Sequence, residues 1–228
     1  MATHESHGLA GMKARSQASV VLCDFDGTIT DVDTGELVLS RFADGDWRRY
    51  HEEYLRGAFS FEECLRRQYA LMRRVTKASI LSLVDEHVQV RAGFEELLAA
   101  AEPIGTPVAV ASYGLDFCID HVLGRVRNAE DIQVYSPRTT VGEDGVRLTF
   151  PRRRTKESTN LKDDVVRRYK QRGYEVIFVG DGASDFPAVM AADARYAIEG
   201  SELAKMCQRN GVECAAVADF WPVAEGLG

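Results

Sequence analysis

Residues Asp24-Phe25-Asp26-Gly27-Thr28 follow directly on the apolar run Val20-Val21-Leu22-Cys23, and this junction constrains the fold more than any other part of the chain. A short apolar run broken by charge and glycine reads as a buried strand of a parallel sheet. Two carboxylates at its end belong on the carboxyl edge of that sheet, where doubly wound folds build their sites. Alternate side chains of an extended chain share a face, so Asp24 and Asp26 point into one cavity while Phe25 turns toward the packing. Two negative charges so close need a shared proton or a cation, and a hard divalent ion such as Mg2+ suits all-oxygen donors. Gly27 lets the backbone turn sharply, and the Thr28 hydroxyl can hydrogen-bond a phosphate oxygen. Alone, the pair also fits a solvated turn; the strand before it and the Gly-Thr after it favour phosphoryl chemistry.

A chain of 228 residues fits one domain with a large insertion or two small domains. Residues 33–91 carry helical periodicity with almost no strand signal and read as a helical insertion. Ser60-Phe61-Glu62-Glu63 predicts a capping box that opens a helix reaching Arg74, and Thr76 predicts the cap of the next. Trp47, Arg48, Arg49, Tyr50 and Tyr54 lie on an earlier helix, as a packed face with snorkelling arginines or as the wall of a cleft. From Phe94 the pattern alternates: helices at 94–101, 116–126, 161–171, 183–192 and 201–210, and strands at 108–111, 132–135, 175–179 and 194–198. A hairpin turning at Glu143-Asp144-Gly145 returns along 146–150. The fold class is α/β, a Rossmann-like doubly wound parallel sheet with right-handed crossovers. The core comprises 20–32 and 92–228, the insertion 33–91, and residues 1–19 read as a disordered leader without an apolar signal core.

Three further strand or helix ends carry chemistry. Val108-Ala109-Val110-Ala111-Ser112-Tyr113-Gly114 ends a strand in a hydroxyl and enters a helix, so Ser112 and the backbone of Tyr113 and Gly114 can bind phosphate at a positive helix terminus. Val179-Gly180-Asp181-Gly182-Ala183-Ser184-Asp185 presents Asp181 at a strand tip, with Asp185 one turn on to ligate a metal or orient its water; a helix cap by Asp181 or Ser184 is the alternative. Lys162, with Lys156 as competitor, supplies a cation to balance the carboxylates and grip phosphate. Arg152, Arg153 and Arg154 form a basic loop, solvated or substrate-binding, with Arg152 and Arg154 as the candidates.

These four motifs in this order resemble the haloacid dehalogenase-like superfamily, and the likeness spans residues 20 to about 222. The resemblance implies Asp24 as a nucleophile that forms an aspartyl phosphate, and Asp26 as general acid and then base. It implies Mg2+ held by Asp24, the Asp26 carbonyl oxygen and Asp181, with Asp185 assisting. Residues 33–91 then match the helical cap of the phosphoserine phosphatase-like branch, which closes over small substrates, and Asp33 matches an acidic position at its entrance, facing substrate or capping a helix. Within that branch, Ser112-Tyr113-Gly114-Leu115-Asp116-Phe117 and Val217-Ala218-Asp219-Phe220 look closest to the 2-hydroxy-3-keto-5-methylthiopentenyl-1-phosphate phosphatases. Two departures set the chain apart from that group: Pro151-Arg152-Arg153-Arg154-Thr155-Lys156 holds no cysteine, and Tyr113 replaces the usual Gly.

A formal charge of -7 argues against a nucleic-acid surface, which needs concentrated Lys and Arg. No apolar run approaches a membrane span. Cys23, Cys64, Cys118, Cys207 and Cys214 are odd in number and lack C-x-x-C spacing, as expected of reduced thiols in a cytoplasmic protein. The expectation is a Mg2+-dependent phosphatase of a small phosphorylated metabolite. Phosphoserine or a sugar or natural-product phosphate are alternative substrates, and a non-catalytic phosphometabolite-binding protein is the alternative of another class. The sequence gives no sign of oligomeric state.

Overall fold

The computed structural model describes residues 18–227; the leader expected at 1–19 lies almost wholly outside them, and Ser19 already belongs to the first strand. Six parallel strands form the central sheet: β1 (Ser19–Cys23), β2 (Val108–Ala111), β3 (Gln133–Tyr135), β6 (Glu175–Gly180), β7 (Ala194–Ile198) and β8 (Ala215–Val217). They are ordered β3-β2-β1-β6-β7-β8, while β4 (Arg138–Gly142) and β5 (Gly145–Thr149) make a separate antiparallel hairpin. The chain runs outward from β1 in both directions, which makes the carboxyl ends of β1, β2 and β6 the switch point of the sheet. Strand alternation supplies both faces. Val21, Cys23, Val110 and Val179 pack on one side with α5 (Phe94–Ala101), α6 (Asp116–Leu123) and α10 (Trp221–Glu225). Val20, Leu22, Ala109 and Phe178 pack on the other with α7 (Leu161–Gln171), α8 (Phe186–Ala191) and α9 (Glu202–Arg209).

Between β1 and α5 the chain makes four α-helices, α1 (Thr34–Phe42), α2 (Arg48–Leu55), α3 (Phe61–Tyr69) and α4 (Lys77–His87). Thr76 and Ser79 form a full capping box on α4. At α3 only half of the expected box exists: Ser60 accepts from the Glu63 amide, but the Glu63 carboxylate turns to Arg66 and Arg67. Helix α3 also stops at Tyr69 rather than Arg74, because Leu71 and Met72 donate to carbonyls three residues back and Met72 turns fully into the core. The tight bonds end the α-helical ladder and leave Arg74 at a φ of 55°. The expected helix at 183–192 opens as one tight turn over Ala183–Asp185 before α8. Neither β8 nor α10 was expected from the sequence. Four cysteines are buried, Cys214 is half-buried, and all five thiols are free. Among the described residues no helix is long and apolar enough to cross a membrane.

Candidate active site

After Cys23 the backbone leaves the sheet and closes a wide turn in which the Thr30 amide donates to the Phe25 carbonyl at 3.0 Å. Gly27 takes a φ of 71°, which a side chain would resist. Phe25 is fully buried, so Asp24 and Asp26 face the same space beyond the strand. Asp24 Oδ1 accepts from the Phe25 amide at 2.7 Å and Oδ2 from Lys162 Nζ at 2.7 Å. Asp26 Oδ1 accepts from the amide of Thr34 at 3.1 Å and from the Thr34 hydroxyl, and Oδ2 faces Ser112 Oγ at 3.5 Å.

The other motifs converge on these two. Lys162, 2% exposed, also donates to Asp185 Oδ1 at 2.7 Å and to Ser184 Oγ at 3.1 Å; its competitor Lys156 is exposed. Asp185 Oδ2 accepts from the amides of Asp181 and Gly182 at 3.0 and 2.9 Å. Asp185 therefore organises the loop and pins the lysine. Carboxylate oxygens of Asp24, Asp181 and Asp185 lie within 4.8 Å of one another. Ser112 Oγ accepts from the Gly114 amide at 2.9 Å, which leaves its proton to donate elsewhere.

The electrostatics are those of crowded acids with too little counter-charge. Burial, then the Asp185 charge, pushes the Asp24 carboxyl well above the ordinary carboxylate range against the pull of Lys162. Burial and Asp185 push Asp181 up to about 6. Burial and the Asp33 charge push Asp26 up to about 7, opposed by its bonds from Thr34. Burial favours the neutral amine of Lys162, yet Asp185 and Asp24 override it and hold the amine charged. Oxygen donors with excess negative charge suit a hard divalent cation, and among the described residues Asp24, Asp181 and Asp185 are placed so that they could hold one.

Some expected residues take other positions. The Thr28 hydroxyl donates to Asp181 Oδ1 at 2.9 Å from a fully buried position, where it orients that carboxylate. The Tyr113 hydroxyl accepts from the Leu161 amide at 3.0 Å, and its ring packs edge-on to Phe61 at 5.0 Å; its side chain is thereby committed to joining α3 to the start of α7. Asp33 caps α1 by accepting from the Glu36 amide at 2.7 Å. Its side chain is exposed at the surface, while the protein packed around its carboxyl raises it above the ordinary range. Arg152 and Arg154 are exposed; Arg153 between them donates to the Ser158 carbonyl. The loop hangs from Asp164, whose Oδ1 accepts from the amides of Arg154 and Thr155 at 2.8 and 2.6 Å.

Sequence reasoning missed Thr34, Ser184 and Asn160 as partners of the site. The Asn160 side chain caps α7 through the Asp163 amide and donates to the Ser184 carbonyl at 2.7 Å, locking the lysine helix to the β6 loop. Its signal was legible: Asn three residues before an acidic residue at the start of a helix.

Comparisons with known proteins give the family and the fold. The family model described as haloacid dehalogenase-like hydrolase matches residues 21–190. A 2-hydroxy-3-keto-5-methylthiopentenyl-1-phosphate phosphatase of Geobacillus kaustophilus is 27% identical over 213 residues, covering 91% of this chain and 94% of the relative. Its namesake in Brevibacillus brevis is 26% identical over 212 residues, with 91% and 94% covered. Among solved structures, a substrate-bound phosphoserine phosphatase superposes with a TM-score of 0.70 at 19% identity, covering 94% of this chain and 100% of that one.

Proposed function

The chain belongs to the haloacid dehalogenase-like hydrolase family and is a phosphatase, and from that premise we propose that it hydrolyses a small-molecule phosphomonoester through an aspartyl phosphate formed on Asp24, with Mg2+ as cofactor. The observation that carries this reading is the cluster of Asp24, Asp181 and Asp185, two of whose members, Asp24 and Asp185, are paired with Lys162, with a separate carboxyl, Asp26, raised to about 7 beside them. A binding protein has no use for both a carboxylate aimed at phosphorus and a second one that holds a proton near neutrality.

In the first step an Asp24 oxygen forms a bond to phosphorus as the bond from phosphorus to the ester oxygen breaks, and Asp26 gives its proton to that leaving oxygen. Asp26, now a carboxylate, takes a proton from the water that attacks the phosphorus. Asp24 and inorganic phosphate are released, and the proton returns Asp26 to its starting form. Lys162 and Ser112 offset charge on the transferring oxygens, the Gly114 amide orients the Ser112 hydroxyl to which it donates, and the Tyr113 amide lies at the same end. Mg2+, held by Asp24, the Asp26 carbonyl oxygen and Asp181 with Asp185 assisting, would supply further charge compensation for the phosphoryl oxygens.

Residues 33–91 act as a cap on the core of 20–32 and 92–228. Thr34 and Phe61 of this segment already touch Asp26 and Tyr113, so the ester group faces a walled space that suits a small metabolite and excludes water. The substrate of the methylthiopentenyl phosphate relatives heads the candidates, because this chain matches those two relatives over 94% of their length; phosphoserine and sugar phosphates follow. We place the enzyme in the cytoplasm, with neither nucleic acid nor membrane as partner. Phosphate release from a panel of such esters, with Mg2+ and with EDTA, tests the reading. We expect Mg2+-dependent turnover that Asp24→Asn abolishes; turnover surviving in Asp24→Asn or indifferent to EDTA would refute the mechanism.

A further inference from the structure

Arg91 lies where the chain returns from the helical segment to the core, outside every motif that marks the site. The outgoing and returning chains run side by side there. The Arg91 amide donates to the Ile29 carbonyl at 2.7 Å, the Asp31 amide to the Gln89 carbonyl at 3.0 Å, and the Gln89 amide to Asp31 Oδ1 at 2.9 Å. Thr30 and Val90 pair antiparallel between them.

The guanidinium of Arg91 reaches into the turn that follows β1. Nη2 donates to the Gly27 carbonyl at 2.7 Å and to the Thr30 carbonyl at 3.3 Å, Nε to the Thr28 carbonyl at 2.7 Å, and Nη1 to the Ala218 carbonyl at 3.2 Å. All four acceptors are backbone oxygens, and three belong to the segment next to Asp26. A wide turn leaves carbonyls that no amide of its own reaches, and a planar fork with five donors can satisfy several at once where an ammonium cannot. The same clamp ties that turn to the crossing into α1, whose Thr34 holds the Asp26 carboxyl from the other side.

We propose that Arg91 is a positioning residue: it fixes the turn between Asp26 and Thr30 so that the Asp26 carboxyl stays aimed at the leaving oxygen. The proposal rests on Asp26 being the general acid. Since kcat/KM reports the steps up to phosphoryl transfer, and 4-nitrophenolate departs without a proton where phenolate needs one, two aryl esters separate aim from fold.

The experiment measures kcat/KM for phenyl phosphate and 4-nitrophenyl phosphate with Mg2+ in the wild type, Arg91→Lys, Arg91→Gln and Asp26→Asn, with circular dichroism to confirm folding. A misaligned acid costs about 10²-fold on phenyl phosphate, and the loss on 4-nitrophenyl phosphate is expected to be far smaller, in the pattern that Asp26→Asn itself shows. Parallel losses on both esters, no loss on either, or failure of both Arg91 variants to fold would overturn the proposal. A wild type that releases no phosphate from these esters or from the panel of metabolite esters would refute the proposed reaction itself. Equal losses in Asp26→Asn would refute Asp26 as acid; a selective Asp26→Asn beside an unselective Arg91→Lys would refute Arg91 alone.

Discussion

Three acidic side chains of the site rest against glycines. A Cβ on Gly114 would meet Asp26 Oδ2 at 2.5 Å and Ser112 Oγ at 3.1 Å, one on Gly180 would meet Asp185 Cγ at 2.6 Å, and one on Gly27 would meet Asp181. Gly114 has no positive φ, so Gly114→Ala displaces Asp26 without straining the backbone. We expect kcat/KM to fall about 10²-fold while the thermal midpoint barely moves; comparing both by steady-state kinetics and calorimetry checks this. Asp33 offers a second handle on Asp26. Its charge follows burial as a cause of the rise to about 7, and a raised pKa keeps the acid protonated to higher pH. Asn caps a helix as well as Asp does, so Asp33→Asn preserves α1 but lowers the Asp26 pKa. The alkaline limb of kcat/KM for phenyl phosphate then moves to lower pH; an unmoved limb would show that the Asp33 charge is not felt. Asp24, Asp26, Ser112 and Asp181 were legible because each follows an apolar strand, and Lys162 because it opens the helix before one; a charged or hydroxyl group at these ends faces the carboxyl edge. Arg91 and Thr34 were not. One bonds backbone carbonyls some sixty residues earlier, which carry no residue-specific signal, and the other is a common first residue of a helix.

Elements that close on themselves were read well, whereas those that end on distant contacts were not. Helix α7 begins at Leu161 as expected because Asn160 caps it and Asp163 and Asp164 fill its first turn, where the dipole favours negative charge. Helix α3 ends five residues before Arg74 because Met72 finds its place in the core and the hairpin crowds it, a Cβ on Gly145 meeting the Ala70 carbonyl at 2.6 Å. Local periodicity holds no record of that. Strand β8, Ala215-Ala216-Val217, is too short and small to stand out, and it exists because β7 offers an edge. The arginine loop likewise takes its shape from α7. Asp164, 1% exposed, accepts from the Arg154 and Thr155 amides and from the Ser158 hydroxyl at 3.1 Å. Asp164→Ala would leave the Thr155 amide buried without a partner, at a cost of about 1–3 kcal/mol for that group alone. We expect a lower urea midpoint and faster proteolysis at Arg152 to Arg154. An unchanged midpoint would mean that the loop is held by its other contacts.

At the scale of the whole molecule, alternating helices and strands announced a parallel sheet, but the order of its strands was not readable, since right-handed crossovers permit several orders. The observed order puts β1 between β2 and β6, and this alone brings Asp24, Ser112 and Asp181 to one edge. It also concentrates carboxylates in the interior, with a consequence for stability. Without metal, Asp24 is raised well above the ordinary range, Asp26 to about 7 and Asp181 to about 6. Between about pH 4, where unfolded carboxylates ionise, and pH 7 the folded chain therefore binds more protons than the unfolded one. Stability of the metal-free protein must then fall as pH rises through this window, because the slope follows the protons bound by the unfolded state minus those bound by the folded state. Mg2+, the cofactor we propose, would reverse the balance by binding the deprotonated carboxylates of the folded state alone. It is worth about 2.7 kcal/mol at one hundred times its Kd, and its apparent Kd rises at low pH as Asp24 and Asp181 hold their protons. Thermal midpoints at pH 5 and pH 8, in EDTA and in excess Mg2+, read both effects. The EDTA midpoint should be lower at pH 8 than at pH 5, and the increment given by Mg2+ larger at pH 8. An increment equal at the two pH values would mean that the metal displaces no protons, and that the acidic cluster at the switch point is not where it binds.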